Sequence, residues 1–319
     1  MALYLVKRLL IAIPTIVAIS LVIFVIVALA PGDPMAEFAL NPSLTEEVRE
    51  NIRRSLGLDQ PLPIRYVKWV WAFFRGDMGY SFTSRSPVKE LIAQRLPTTL
   101  WVVGMAYALS LLLAVPLGVW SAVRRNTWGD RLLTTLALVG YSLPPFVLGL
   151  VLIIVFSVQL GWLPFIYDST LQVQDWPSLV AQLQQSTLPI LTLVLLQAAM
   201  LMRLTRSAML EEMPQNYVRT AHAKGLSHLR VILHHILRNA LLPIVTMIAL
   251  DVPSLFTGAL VTEQIFRVPG IGALLIDSIF RNDTPVVLAI TLMYGILVVV
   301  FNVVADLLYQ VLDPRIQLG

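Results

Sequence analysis

"NYVRTAHAKGLSHLRVILHHILRNALLP", from Asn216 to Pro243, is a polar, small-residue passage between two long apolar segments. Its residue pattern predicts two helices. Pro214 suits the first turn of the leading helix, Ala221 and Ala223 keep its surface low, and Gly225 is placed to end it in a left-handed residue. In the following helix Leu229, Ile232, Leu233, Ile236 and Leu237 recur with helical spacing, while Arg230, His234 and Arg238 occupy another face at every fourth position. Such a helix is expected to lie along the inner membrane surface before turning into the next apolar segment. The leading helix has too little apolar surface for lipid and too few long side chains for a core. On composition it is either a solvated connector or an element that inserts into a groove on another protein.

Around this passage the chain reads as a membrane protein. Of 319 residues, 57% are hydrophobic and 13% charged, well below the roughly 25% charged of soluble chains. The absence of cysteine excludes disulfides, iron–sulfur clusters and zinc–thiolate sites. A net charge of +4, with basic residues scattered among loops, makes nucleic acid a poor partner. Six segments have the roughly 20 apolar residues a helix needs to cross a bilayer: Leu9–Ala30, Thr98–Val123, Leu132–Leu160, Leu188–Leu210, Leu241–Thr262 and Val286–Leu312. The first exceeds a signal-peptide core in length and is followed by Pro31, so a retained span is expected.

With the N-terminus inside, twelve Lys and Arg residues flank the cytoplasmic side. Only Arg267 and Arg281 lie on the outside, apart from nine in the long first loop, which is exempt from the rule by its length. Both termini are then cytoplasmic. The expected organisation is residues 1–30 as tail and first span, 31–97 as an extracytoplasmic loop with amphipathic helices, and 98–319 as a five-span core containing the cytoplasmic loop 211–238. In the first loop, Ser43 and Glu46 form a capping box, Val48, Ile52 and Leu56 share a face, and Gly57 ends the helix. The aromatics Trp69, Trp71, Phe73 and Phe74 fit either a membrane–water interface or the core of a small cap. Pro144 and Pro145 fall in the middle of the third span and bend it, either to line a pathway or simply in packing against neighbouring helices.

The passage from Tyr217 to Pro243 resembles the cytoplasmic loop signature of ATP-binding-cassette importer permeases. In these an Ala-x-Ala-x-x-Gly-type element precedes a Leu-Pro or Ile-Pro pair, and Tyr217, Arg219, Ala221, Ala223, Lys224, Gly225, Asn239 and Pro243 match. The glutamate usual before the paired alanines is missing, with Arg219 and Thr220 in that region. "LGLDQPL" at Leu56, "GDMGYSF" at Gly76 with Pro87 and Val88, "SLPPFVLG", "GALVTEQIFRVPGIG" and "NVVADLLYQVLDPRI" are similar to the dipeptide, oligopeptide, nickel and glutathione branch. The stretch Tyr167–Gln185 is less familiar and longer than that branch leads one to expect. The resemblance implies an all-α integral membrane protein with six transmembrane helices, the type I importer permease fold, in a bacterial inner membrane. It implies a second permease subunit, two ATPase subunits and an extracytoplasmic solute-binding protein as partners. The short helix would be the coupling helix, seated in a cleft of the ATPase. ATP and magnesium would belong to those ATPase subunits, with no cofactor on this chain.

Consistent with that division, no Gly-x-x-x-x-Gly-Lys-Ser/Thr loop occurs, so the chain is not expected to be an enzyme. The four histidines fall between His222 and His235, but adjacent His234 and His235 point apart, and interfacial polarity explains them better than a metal. Asp251 lies mid-span, where an aspartate costs about 2.5 to 3.5 kcal/mol, and should face protein or water. It is a candidate for the translocation path, as are Gln197 and Glu263; Pro253 nearby offers a plain hydrogen-bonded kink as the alternative. Asn302 and Asp306 share a face and read as structural. A secondary transporter coupled through Asp251 is the rival reading, and it should show more intramembrane charge or a repeat. An intramembrane enzyme would need a converging catalytic set, and none is found.

Overall fold

A computed structural model describes residues 2–29, 45, 47, 50, 53–54 and 59–312, without the side chains of 2–7, 9, 251–252, 254–258 and 309–312. The residues on which the expected helix at Ser43–Gly57 rests lie outside the described residues. Apart from an isolated bridge between Tyr80 and Pro87, the regular structure among the described residues is helical. The helices are α1 Ala2–Leu29, α2 Leu62–Phe74, α3 Val88–Val123, α4 Trp128–Ser142, α5 Pro145–Leu152, α6 Trp176–Glu212, α7 Asn216–Ala223, α8 His228–Val231, α9 Leu237–Phe266, α10 Ile271–Phe280 and α11 Thr284–Leu312. Turns of π-helix extend α5 through Ile153–Gln159 and join α8 to α9 through Ile232–Ile236.

Five helical stretches are long and apolar enough to cross a membrane: Leu10–Leu29, Val88–Val123, Trp176–Glu212, His228–Leu250 and Thr284–Leu308. The remaining expected span, the third in sequence, is present as a broken pair, Trp128–Ser142 and Pro145–Gln159, bent by 105°. Leu143, ahead of two prolines, is forced into extended backbone (φ −79°, ψ 129°), and Pro144 and Pro145 start a fresh helix. At about 1.5 Å per residue each half is about 22 Å long, short of a bilayer core of about 30 Å. The break is therefore far sharper than a kink. Helix α10 was not foreseen, because its 10 residues are too few to register as a span.

The chain divides into two compact units, Met1–Pro97 with Gly270–Val303, and Thr98–Pro269 with Val304–Gly319. In the first, the aromatics of α2 sort by face. Tyr66 and Trp69 pack on Phe24 of α1, each with ring centroids 5.6 Å from it, and Phe73 is buried beside Trp69. The Tyr66 hydroxyl pairs with Ser20 Oγ at 2.8 Å, whereas Trp71 and Phe74 point outward. The core reading thus fits the face formed by Tyr66, Trp69 and Phe73, while Trp71 and Phe74 stand outside it. In the same unit Asp283 is buried and accepts from Ser81 Oγ and from the backbone N–H groups of Phe82 (3.0 Å) and Thr83 (3.3 Å). One carboxylate thus clamps the loop between α2 and α3.

The second unit is built around α6, which packs against α4, α5 and α9. Leu148, Leu188, Val194 and Phe266 are among its buried core, with Val102 and Ala106 of α3. The 37 residues of α6 extend it to about 55 Å, and its first turns absorb much of the unfamiliar Tyr167–Gln185 stretch. Asp175 and Ser178 form a capping box that starts it. The preceding loop is stitched down by Tyr167 N–H to Phe266 C=O (3.1 Å) and by Asp168 N–H to Gln185 Oε1 (2.8 Å).

Candidate coupling helix and its base

Helix α7 is the short element between the spans, and its residues divide by direction. Val218 and Ala221 are buried, 4% and 5% exposed, in a cluster with Ala122 of α3, Ala208 and Met209 of α6, and Val231, Ile232, Ile236 and Ala240 of the next helix. Asn216, Arg219, Thr220, His222, Ala223, Lys224 and Gly225 are exposed. The paired alanines therefore face opposite ways, Ala221 inward onto its own chain and Ala223 outward. Gly225 takes φ +76°, and its N–H bonds to His222 C=O at 2.9 Å, ending the helix in the left-handed geometry expected of it. Pro214 does not enter the helix. It sits in the turn before Gln215, which caps the first residue without a side-chain bond.

Tyr217 is half-buried and ties α7 to both flanking spans. Its hydroxyl donates to Glu212 Oε2 at 2.5 Å, at the end of α6, and also engages the Asn239 side chain on α9. Burial, followed by the neighbouring Glu212 carboxylate, pushes the Tyr217 phenol up to about 12, so it stays protonated and remains a donor throughout the neutral range. Tyr217 and Asn239, 22 positions apart, are brought together by the fold.

The helix after α7 departs from expectation. No separate surface helix forms: His228 runs through the π turn at Ile232–Ile236 into α9. A π turn holds a surplus residue and rotates the faces that follow. Val231, Ile232 and Ile236 consequently turn inward, while Leu229 and Leu233 of the expected apolar face are exposed. His222 and His228 stack with centroids 5.8 Å apart. Among the described residues searched, no group of three or more His, Cys, Asp or Glu could hold a metal.

Beneath α7 lies a polar joint that the sequence reading missed. Asp130, 2% exposed in the first turn of α4, accepts Arg206 Nε (2.8 Å) and Nη2 (2.9 Å) from α6, Ser121 Oγ (2.5 Å) from α3, and Asn126 N–H (2.8 Å). Close backbone approach accompanies it. A β-carbon at Gly118 would stand 2.6 Å from Thr205 Cβ, and one at Gly129 would stand 2.5 Å from the Trp120 ring.

The three candidate path residues differ in their surroundings. Glu263 is fully buried and accepts Thr99 Oγ1 at 2.8 Å, walled in by α3. Gln197 is half-buried and engaged within the chain. Asp251 belongs to α9, but its side chain lies outside the described residues. Asn302 is exposed and Asp306 half-buried with a partner.

Comparison with known proteins adds the family. Residues 114–318 match the family described as "Binding-protein-dependent transport system inner membrane component", and residues 1–103 match its N-terminal counterpart. The oligopeptide transport system permease protein AppB of Bacillus subtilis (strain 168) is 41% identical over 99% of this chain and 100% of its own length. The glutathione transport system permease proteins GsiC of Salmonella paratyphi A (strain ATCC 9150 / SARB42) and Escherichia coli (strain K12) are each 40% identical over 98% of both chains. With its all-helical, multi-pass architecture and these matches over nearly its whole length, the chain belongs to the binding-protein-dependent inner membrane components, the permeases of ATP-binding-cassette importers.

Proposed function

We propose that this permease imports short peptides, glutathione included as a tripeptide, and that α7 is the element through which partner ATPases drive it. The substrate class rests on the similarity to AppB and GsiC. The single observation that carries the coupling role is the two-sidedness of α7: Val218 and Ala221 are packed into the bases of the flanking spans, and Arg219, Ala223 and Lys224 stand out as a low, basic knob. A short helix so mounted can deliver a push to α6 and α9 without deforming.

Two ATPase subunits would hold the ATP and magnesium, leaving this chain without a cofactor. A second permease would complete the path, and an extracytoplasmic solute-binding protein would deliver the substrate. In this reading both termini are cytoplasmic, residues 31–97 lie outside the bacterial inner membrane, and residues 98–319 form the moving core with loop 211–238 on the ATPase side. Asp251, in the cavity wall, favours cationic or amino-terminal groups, with Gln197 beside the path. Glu263, bonded to Thr99, anchors the outer end of α9. Asp251→Asn with unchanged uptake and selectivity would remove that assignment.

The test of the coupling role is reconstitution of the complex with Ala223→Trp and Arg219→Glu, both on exposed positions. ATP-driven uptake is expected to fall at least about tenfold and ATPase co-purification to weaken, as for a blocked anchor at an interface. Normal coupling in both variants would refute the role of α7. Mass spectrometry of the ligand carried by the solute-binding partner identifies the substrate, and anything other than a peptide would overturn that part.

A further inference from the structure

Asp130 is one of three buried carboxylates among the described residues, with Glu263 and Asp283, and it is met by the Arg206 guanidinium. A carboxylate at 2% exposure, inside a candidate span, is costly unless every lone pair is answered. Here each oxygen is. Oδ1 receives Arg206 Nε and Ser121 Oγ, and Oδ2 receives Arg206 Nη2 and Asn126 N–H. The guanidinium grips in the two-pronged geometry that only arginine offers. The donors come from three different pieces of chain: the end of α3, the turn before α4, and α6 six residues before it ends at Glu212.

Two of these pieces, the end of α3 and α6, carry the floor on which α7 stands. Ala122 follows Ser121, Ala208 and Met209 lie two and three residues past Arg206, and all three contribute to the cluster that buries Val218 and Ala221. The α3–α6 contact is fixed on its other flank by Gly118, whose added β-carbon would meet Met202 C=O at 2.8 Å. Close packing sets how near α3 and α6 approach, and directional hydrogen bonds to a charged group add a strong preference in angle and register.

We infer that Asp130 and Arg206 are positioning residues for transport, locking the bases of α3, α4 and α6 into one block so that displacement of α7 reaches the spans undivided. This rests on the coupling role proposed for α7. Without the lock, ATP hydrolysis would continue on the partner subunits while the spans followed incompletely.

The experiment uses the whole importer in vesicles and reads ATP hydrolysis and peptide uptake side by side. Three variants are compared: Asp130→Asn, Arg206→Lys, and the double variant Asp130→Asn with Arg206→Gln, which leaves no lone buried charge and so protects folding. Expected is a fall in peptides moved per ATP of about tenfold in the two variants carrying Asp130→Asn, and a smaller fall in Arg206→Lys, which keeps the charge and loses the fork. Uptake and hydrolysis falling in proportion, unchanged transport per ATP, or failure of all three variants to assemble would each overturn the inference, the last by making the pair a folding element only. A wild-type complex lacking ATP-dependent uptake would instead sink the coupling reading and this inference with it.

Discussion

At Gly118 a single added carbon meets Thr205 Cβ at 2.6 Å and Met202 C=O at 2.8 Å, the latter being backbone that cannot rotate away. Gly118→Ala is therefore expected to destabilise the chain by about 1–3 kcal/mol, the usual cost of overpacking. Gly104→Ala in the interior of the same helix, with nothing within 4 Å of the added carbon, is expected to stabilise by about 0.5–1 kcal/mol. Thermal unfolding of the two variants in detergent checks the pair. Tyr217 supplies a prediction in pH. Because burial beside Glu212 raises its phenol to about 12, the folded state favours the protonated form. The stability linked to that form is fully present below the ordinary tyrosine value of about 10 and is lost as pH climbs through about 12. Between about pH 6 and 9 the effect of Tyr217→Phe on uptake should not vary, and the difference in ultraviolet titration between wild type and Tyr217→Phe should centre near 12. A midpoint near 10 would mean that the phenol is not enclosed. The left-handed Gly225 was legible from sequence, because helix-ending chemistry is local. Asp130 and Arg206 were not, since 76 positions separate them and only the packing of α4 on α6 makes them neighbours.

Among the elements, the α4–α5 break follows from backbone sterics, and replacing both Pro144 and Pro145 with alanine removes the cause. Spin labels at positions 128 and 159 should then separate from roughly 27 Å towards roughly 45 Å, the end-to-end lengths of a pair bent by 105° and of a straight helix. An unchanged distance would assign the bend to the surrounding helices instead. The loop between α2 and α3 gives a second test. Three donors hold it to Asp283, and exposed Arg85 sits within it at φ 54°. Asp283→Ala should raise trypsin cleavage after Arg85 several-fold, because proteolysis follows the population of locally opened backbone. Element identity was mostly legible here. Long apolar runs announce spans by composition alone: α3, α6, α9 and α11 contain their expected segments, and α1 contains the described part of its own, Leu9–Leu29. Boundaries and irregularities were not. The start of α6 depends on a capping box within a polar stretch, and the π turn at Ile232–Ile236 leaves no mark in residue spacing, so the separation of buried Ile232 and Ile236 from exposed Leu229 and Leu233 was not foreseen.

Taken as a whole molecule, the chain presents lipid-compatible surface on most spans, with Leu10, Ile13, Ile26, Leu112, Leu136 and Val158 all exposed. Its relatives are permeases, and one permease alone has no motor. The purified chain in vesicles is expected to concentrate no peptide on an ATP, proton or sodium gradient, with uptake returning only when the ATPases, the second permease and the binding protein are supplied. Accumulation by the lone chain would restore the secondary-transporter reading. The family was legible because its motifs are local strings, whereas the surroundings of single polar residues were not: Gln197 and Glu263 look alike in sequence until packing leaves one half-buried and the other fully enclosed. Helix α6 has a mechanical meaning of its own. It reaches from the stitched loop at Tyr167 to the Glu212 partner of Tyr217 without interruption, about 55 Å of it. Swung about its midpoint by about 10° as one body, such a beam sweeps each tip through about 5 Å and carries Gln185, about 14 Å from the midpoint, through about 2.4 Å, enough to stretch its 2.8 Å bond from Asp168 N–H beyond hydrogen-bond range. In the reading proposed for α7, a modest rotation at its end of α6 would strain that bond near the other end, with no intermediate relay of side chains required.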